Sequence, residues 1–171
     1  EIAGMIMSDF NESQITNARL AGLLHDIGKV IDDENNDHVA GALGLLRNKE
    51  IDSSVKTCYI KPPAKRSISD IVRYADMSMN TEYYTLKLLS EEAKRQDKVH
   101  KAIIMVETGD LREGVMGDHL VDFYAKVFEL PNIQIEGIGT NLNCLHGVMP
   151  SRDKLIQLSL YKQIIELKFN R

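Results

Sequence analysis

Residues 102–114 read Ala102-Ile103-Ile104-Met105-Val106-Glu107-Thr108-Gly109-Asp110-Leu111-Arg112-Glu113-Gly114. The first five are apolar without a break, and the chain then turns polar between two glycines. A short unbroken apolar run is what a strand of a parallel sheet needs when both of its faces are covered. Polar residues directly after such a strand stand at its carboxyl end, where side chains serve a site, and glycines there let backbone approach a ligand.

The same rhythm continues on both sides of this stretch. Thr57 to Ile60 is a short strand ended by Pro62-Pro63, Ser67 to Tyr74 a helix, and Asp76 to Met79 a second strand. Asn80 or Thr81 caps a helix through Arg95, with Tyr83, Leu86, Leu89 and Ala93 on one face. Downstream, Asp118 opens a helix carrying Val121, Tyr124 and Phe128, and Ile133 to Ile138 forms the next strand. A second polar cluster, Gly139 to Cys144, follows it. Ser151, after Pro150, caps a last helix with Leu155, Leu158, Tyr161, Ile165 and Phe169 inward. Four strand–helix units in a row predict an α/β fold with a parallel sheet and right-handed crossovers.

Upstream the pattern is helical. Ser13 can cap a helix over residues 13–25 that Gly28 stops, residues 32–37 form an acidic loop, and His38 to Arg47 makes a second helix. Residues 48–56 are polar and read as a junction. The expected organisation is a short helical segment over 1–56 and a strand–helix portion over 57–171.

Composition narrows the function classes. The net charge is −4 over 171 residues, and no basic face of the kind that binds nucleic acid is visible. Cys58 and Cys144 stand far apart, which suggests a reducing compartment rather than a disulfide framework. No apolar run is long enough to span a membrane. A soluble, cytoplasmic protein is expected, and a chain that opens on Glu1 rather than Met is expected to be a fragment or a trimmed form.

Several segments of the second portion carry a family likeness. They are Tyr59-Ile60-Lys61-Pro62-Pro63, Tyr74-Ala75-Asp76, Met79-Asn80-Thr81-Glu82, Met105 to Gly114, and Ile135-Glu136-Gly137-Ile138-Gly139-Thr140-Asn141-Leu142-Asn143-Cys144. Together they resemble the barrel of pyridoxal-phosphate (PLP) amino-acid racemases of the alanine/ornithine type. The resemblance implies a partial (β/α) barrel of about four of the eight units, with the cofactor at the carboxyl ends of the strands. It implies that Arg112 lies near the cofactor ring, where a fixed cation can bind the phenolate oxygen, and that Thr140 and Asn141 line the cofactor face. The family holds PLP through a lysine on an early strand. Here Lys29 and Lys56 are the nearby lysines upstream of Tyr59, and neither stands in that context.

A second motif lies in the first portion. Leu23-Leu24-His25-Asp26-Ile27-Gly28-Lys29 resembles the central motif of HD-type metal phosphohydrolases, and His38 resembles a later histidine of that family. Adjacent His and Asp at a helix end can reach one metal ion, which would lower the pKa of a water for attack on phosphate. The candidate metal ligands are therefore His25, Asp26 and His38, with a divalent metal as the second cofactor option.

The leading function is PLP-dependent racemisation of a small-molecule amino acid, in a barrel portion read as catalytically incomplete. An HD-type phosphohydrolase is the alternative, and a non-enzymatic chimera or self-associating fragment is the third reading. A homo-oligomer is the expected assembly, because an open half barrel leaves sheet edges and apolar surface to cover. No nucleic-acid or membrane partner is expected.

Overall fold

The computed structural model describes residues 56–142, 149 and 151–171. The helices read over 13–25 and 38–47, and the junction up to residue 55, lie outside them. The unit Cys58–Arg171 carries the described elements.

The order is β1 (Cys58–Tyr59), α1 (Ile68–Tyr74), β2 (Met77–Asn80), α2 (Tyr83–Arg95), β3 (His100–Met105), α3 (Leu120–Val127), β4 (Ile133–Gly139) and α4 (Arg152–Phe169). The four strands form one sheet in the order β1-β2-β3-β4, and every pair is parallel. This is the parallel α/β sheet that the alternation predicts, and the partial barrel that the resemblance implies. A register shift opposite Ala102 and Ile103 puts an extra residue into β4, which bends that strand locally.

Side chains of a strand alternate between faces, and here the two faces differ in chemistry. His100, Ala102 and Ile104 are buried, together with Leu86, Leu89 and Ala93 of α2 and Leu120, Tyr124 and Val127 of α3. Leu86 and Leu89 have no exposed surface, so each contributes on the order of 2 kcal/mol by leaving water. On the other face Lys101 pairs with Glu136 at 2.6 Å, and Met105 and Ile103 approach Gly139.

Local signals explain the boundaries. Helix α2 ends with Asp97 in the left-handed region, at φ 53°. Asp97 N–H donates to the Lys94 carbonyl at 3.2 Å and Lys98 N–H to the Ala93 carbonyl at 2.9 Å, the paired bonds of a Schellman cap. Lys98 then turns its ammonium onto the Val72 and Arg73 carbonyls, at 3.1 and 2.9 Å, and so caps the end of α1 as well. Ser151 caps α4, its side chain accepting from Lys154 N–H at 3.4 Å.

The structure corrects several expectations. Tyr83 opens α2 and is 37% exposed, and neither Asn80 nor Thr81 is the cap, because Glu82 holds the N-cap position. Strand β3 begins at His100, not Ala102. Gly117–His119 forms a single 3-10 turn before α3 starts at Leu120. Leu155 is 66% exposed, whereas Lys154 beside it is half-buried; at the other end of α4 Phe169 stacks edge-on against Phe128 at 5.1 Å.

His100 is buried, and its Nε2 lies 2.8 Å from Ser78 Oγ on the neighbouring strand. Asn80 Nδ2 donates to the same hydroxyl at 3.0 Å and to the Ser78 carbonyl at 2.9 Å. The Ser78 hydroxyl, with one donor and a second lone pair still available, can donate to an unprotonated Nε2 or accept from a protonated one. Burial, with Lys98 adding a smaller repulsion, pushes the His100 pKa down to about 4.

Candidate functional site at the carboxyl ends of the strands

Parallel strands deliver their following loops to one end of a sheet. Here that end gathers the loops after β3 and β4. The β3 chain runs on past Met105, and Val106 N–H donates to the Gly139 carbonyl of β4 at 2.8 Å. On its other edge, the β2 side, Glu107 N–H donates to the Val115 carbonyl at 3.0 Å and Val115 N–H to the Met105 carbonyl at 2.8 Å. Residues 107–115 are thus a loop whose two feet are joined by backbone bonds.

Gly114 makes this closure possible. Its φ is +133°, and a Cβ there would stand 2.4 Å from Glu107 N and 2.6 Å from the Val106 carbonyl carbon. Leu111, at the loop tip, has a φ of 53° and is 80% exposed.

Inside the loop the chain wraps around the Glu107 carboxylate, which is buried. Gly109 N–H donates to Glu107 Oε1. Burial pushes this carboxyl up, but hydrogen bonds from the backbone N–H groups of Leu111, Gly109, Asp110 and Arg112 outweigh it and leave the pKa lowered. Asp110 Oδ2, in the same loop, is a buried acceptor without a hydrogen-bond partner among the described residues.

The two loops are tied side to side. Thr108 Oγ1 lies 2.7 Å from Thr140 Oγ1, and Asn141 Nδ2 donates to Glu113 Oε1 at 2.6 Å. Arg112 is exposed, while Thr140 and Asn141 are half-buried. The three residues expected to meet a cofactor, Arg112, Thr140 and Asn141, therefore belong to loops held at one end of the sheet.

Sequence reasoning missed two members of this assembly. Glu107 was visible only as part of a motif, and its function as an acceptor of backbone bonds has no mark in the sequence. Lys154, on α4, donates from Nζ to the Thr108 carbonyl, a contact across 46 positions of chain. The candidate metal ligands His25, Asp26 and His38 lie outside the described residues. Among the described residues no group of three His, Cys, Asp or Glu is placed to hold a metal ion, and no helix is long and apolar enough to cross a membrane.

A parallel α/β sheet with its polar loops at the carboxyl edge defines a barrel-type scaffold that serves a ligand there. The chain belongs to the family of the alanine racemase N-terminal domain, whose model matches residues 9–168. That match runs through the stretch read as HD-like, so the family likeness reaches further upstream than expected and leaves the phosphohydrolase reading without support. The chain is 39% identical over 147 residues, 85% of its length, to an ornithine racemase of Acetoanaerobium sticklandii. It is 28% identical over 122 residues to a lysine racemase of Thermotoga maritima. It spans 42% and 34% of the length of these two relatives. Among solved structures it is similar in fold to PipY of Synechococcus elongatus with PLP bound, with a TM-score of 0.63 at 11% identity over 77% of this chain and 60% of that one. An alanine racemase of Clostridium difficile gives a TM-score of 0.60 at 14% identity over 77% of this chain and 34% of that one.

The residues present fit the ring end of PLP in their donor set. Arg112 offers a guanidinium, Thr108 and Thr140 a hydroxyl pair, and Asn141 an amide, all on adjoining loops.

Proposed function

We propose that this chain is the cofactor-binding part of a PLP-dependent amino-acid racemase acting on small amino acids with a basic side chain. The observation that carries the reading is the tie between the β3 and β4 loops, which brings Arg112, Thr140 and Asn141 to the carboxyl edge of a racemase-family sheet. The relatives named ornithine racemase and lysine racemase supply the substrate class.

Each residue has a role that follows from its chemistry. Arg112, charged at any working pH, holds a ring oxygen through directed N–H donors. Thr140, fixed by Thr108, offers its remaining hydroxyl capacity to the cofactor face. Asn141 is oriented by Glu113, which accepts from its amide nitrogen. When bound, the cofactor supplies the electron sink for a carbanion at the substrate Cα. The protein's part is to bind, orient and exclude water.

Self-association belongs to the same proposal. Ile156, Leu160, Ile164 and Leu167 of α4 are each at least 46% exposed, and their spacing of three and four places them along one stripe. Sedimentation of the purified chain at several concentrations checks this part, and a monomer throughout removes it.

The test of the main reading is a PLP titration of the purified chain. The expected result is saturable binding, weakened about tenfold or more by Arg112→Ala, because a charge-assisted bond to the ring oxygen is lost. Equal binding by the two chains would reject the role of Arg112, and no saturable binding would reject the cofactor. A borohydride-sensitive absorbance band would show in addition that a lysine of this chain links the cofactor.

A further inference from the structure

We propose that Glu107 is a positioning residue: its buried carboxylate, which accepts from Gly109 N–H inside the closed loop, sets the loop that presents Arg112 to the cofactor. The inference rests on the cofactor reading above and adds to it the group that holds Arg112 in place.

A buried carboxylate needs hydrogen-bond donors around it. Glu107 is only 8% exposed, and Gly109 N–H donates to its Oε1. The loop backbone that follows Gly109 also holds this carboxyl below the usual carboxylate range. The loop needs this acceptor because its backbone cannot pair internally: Leu111 sits at φ 53° and Gly109 at φ 134°, which breaks both helical and strand ladders.

The position of Arg112 depends on the same closure: it stands between Gly109, whose N–H bonds Glu107, and Gly114, in a loop whose feet are joined by backbone bonds. Two residues on, Gly114 packs against Glu107 N and the Val106 carbonyl carbon. Glu113, between them, takes the bond from Asn141. The frame around Arg112 is thus fixed on one side by Glu107 and on the other by β4. A glutamine at 107 keeps the size but replaces one acceptor oxygen with an NH2 group, which faces donors with a donor. An aspartate keeps both oxygens on a shorter stem.

The test uses two readouts on the full chain. Hydrogen exchange of the peptide covering residues 107–116, followed by mass spectrometry, reports the loop. A PLP titration reports the presentation of Arg112. Glu107→Gln is expected to speed exchange of the loop amides about tenfold or more and to weaken PLP by a similar factor. In an Arg112→Ala background it is expected to weaken PLP no further, because both changes remove one contact. Glu107→Asp is expected to recover part of both losses, and it carries the comparison if the glutamine chain fails to fold.

Unchanged loop exchange in Glu107→Gln overturns the proposal. So does a full additive loss of PLP affinity on top of Arg112→Ala, which would give Glu107 a general structural role. A wild-type chain that does not bind PLP, while Glu107→Gln still speeds exchange, overturns the cofactor reading and leaves the capture of the loop supported.

Discussion

Gly114→Ala tests the closed loop most directly. The added Cβ would stand 2.4 Å from Glu107 N, 2.6 Å from the Val106 carbonyl carbon and 3.0 Å from Glu107 Cα. All three are backbone atoms of a chain already bonded to Gly139 and Val115, so no flexible side chain can yield. A φ of +133° is also closed to L-residues at ordinary energies, a strain of about 1–3 kcal/mol. Relief requires residue 115 to leave the β3 edge. That breaks the bonds of Glu107 N–H and Met105 carbonyl with Val115, at about 1 kcal/mol each. The two routes are alternatives in part, and the expected loss is roughly 3–4 kcal/mol. For a chain of this size that lowers Tm by roughly 6–15 °C.

Urea unfolding followed by circular dichroism gives the midpoint, with Gly137→Ala as the matched control. A Cβ at Gly137 meets no heavy atom within 4 Å, so the same chemical change is expected to be neutral or stabilising there by about 0.5–1 kcal/mol. A Gly114→Ala midpoint equal to wild type, at unchanged slope, would refute the geometry of the loop foot. Equal losses at both glycines would refute the assignment of the effect to close approach.

Further outcomes follow from other parts of the molecule. His100 has a pKa of about 4 in the fold against about 6.5 when unfolded, so the unfolded chain binds the extra proton between these values. Its contribution is complete above pH 6.5 or so and is lost as pH falls toward 4, by at most roughly 3 kcal/mol. His100→Asn should flatten the pH dependence of the urea midpoint across that window, and an unchanged slope would remove His100 as its cause. Asp97→Gly should raise stability by about 0.5–1 kcal/mol, because glycine occupies φ 53° without the Cβ penalty; a lower midpoint would mean the Asp97 side chain contributes more than the cap. Leu86→Ala should cost about 2–5 kcal/mol, since Leu86 is fully buried, and a loss under 1 kcal/mol would show that the sheet and α2 are not packed as described.

Much of the scaffold was legible because it follows from local chemistry. The run Ala102 to Val106 marks a buried strand by composition alone, and Ser151 marks a helix start by its hydroxyl. The polar clusters Gly109 to Gly114 and Gly139 to Cys144 were legible as site loops because each follows a strand of one parallel sheet, whereas Arg112, Thr140 and Asn141 were singled out by the family resemblance. What escaped depends on partners distant in sequence. His100 is buried because Ser78 on the next strand answers its ring nitrogen, and no pattern around His100 predicts that. Lys154 reaches Thr108 only once α4 has returned to the sheet. The loop around Glu107 is held by backbone donors, which every residue carries and which therefore leave no trace in the residue types. Leu155 looked inward by periodicity, but Lys154 beside it is the residue that turns toward the β3 loop.

The loop with joined feet has a consequence for how the site can change. Its frame is set by Glu107, Gly114, Val115 and β4, whereas Leu111 at its tip projects into solvent. Substitution at the tip alters what an incoming molecule meets without disturbing the hinge points that carry it. New specificities can therefore be explored at residue 111 by mutation and selection, and a fluorescent or spin label placed there would report on ligand arrival while the scaffold beneath keeps its shape.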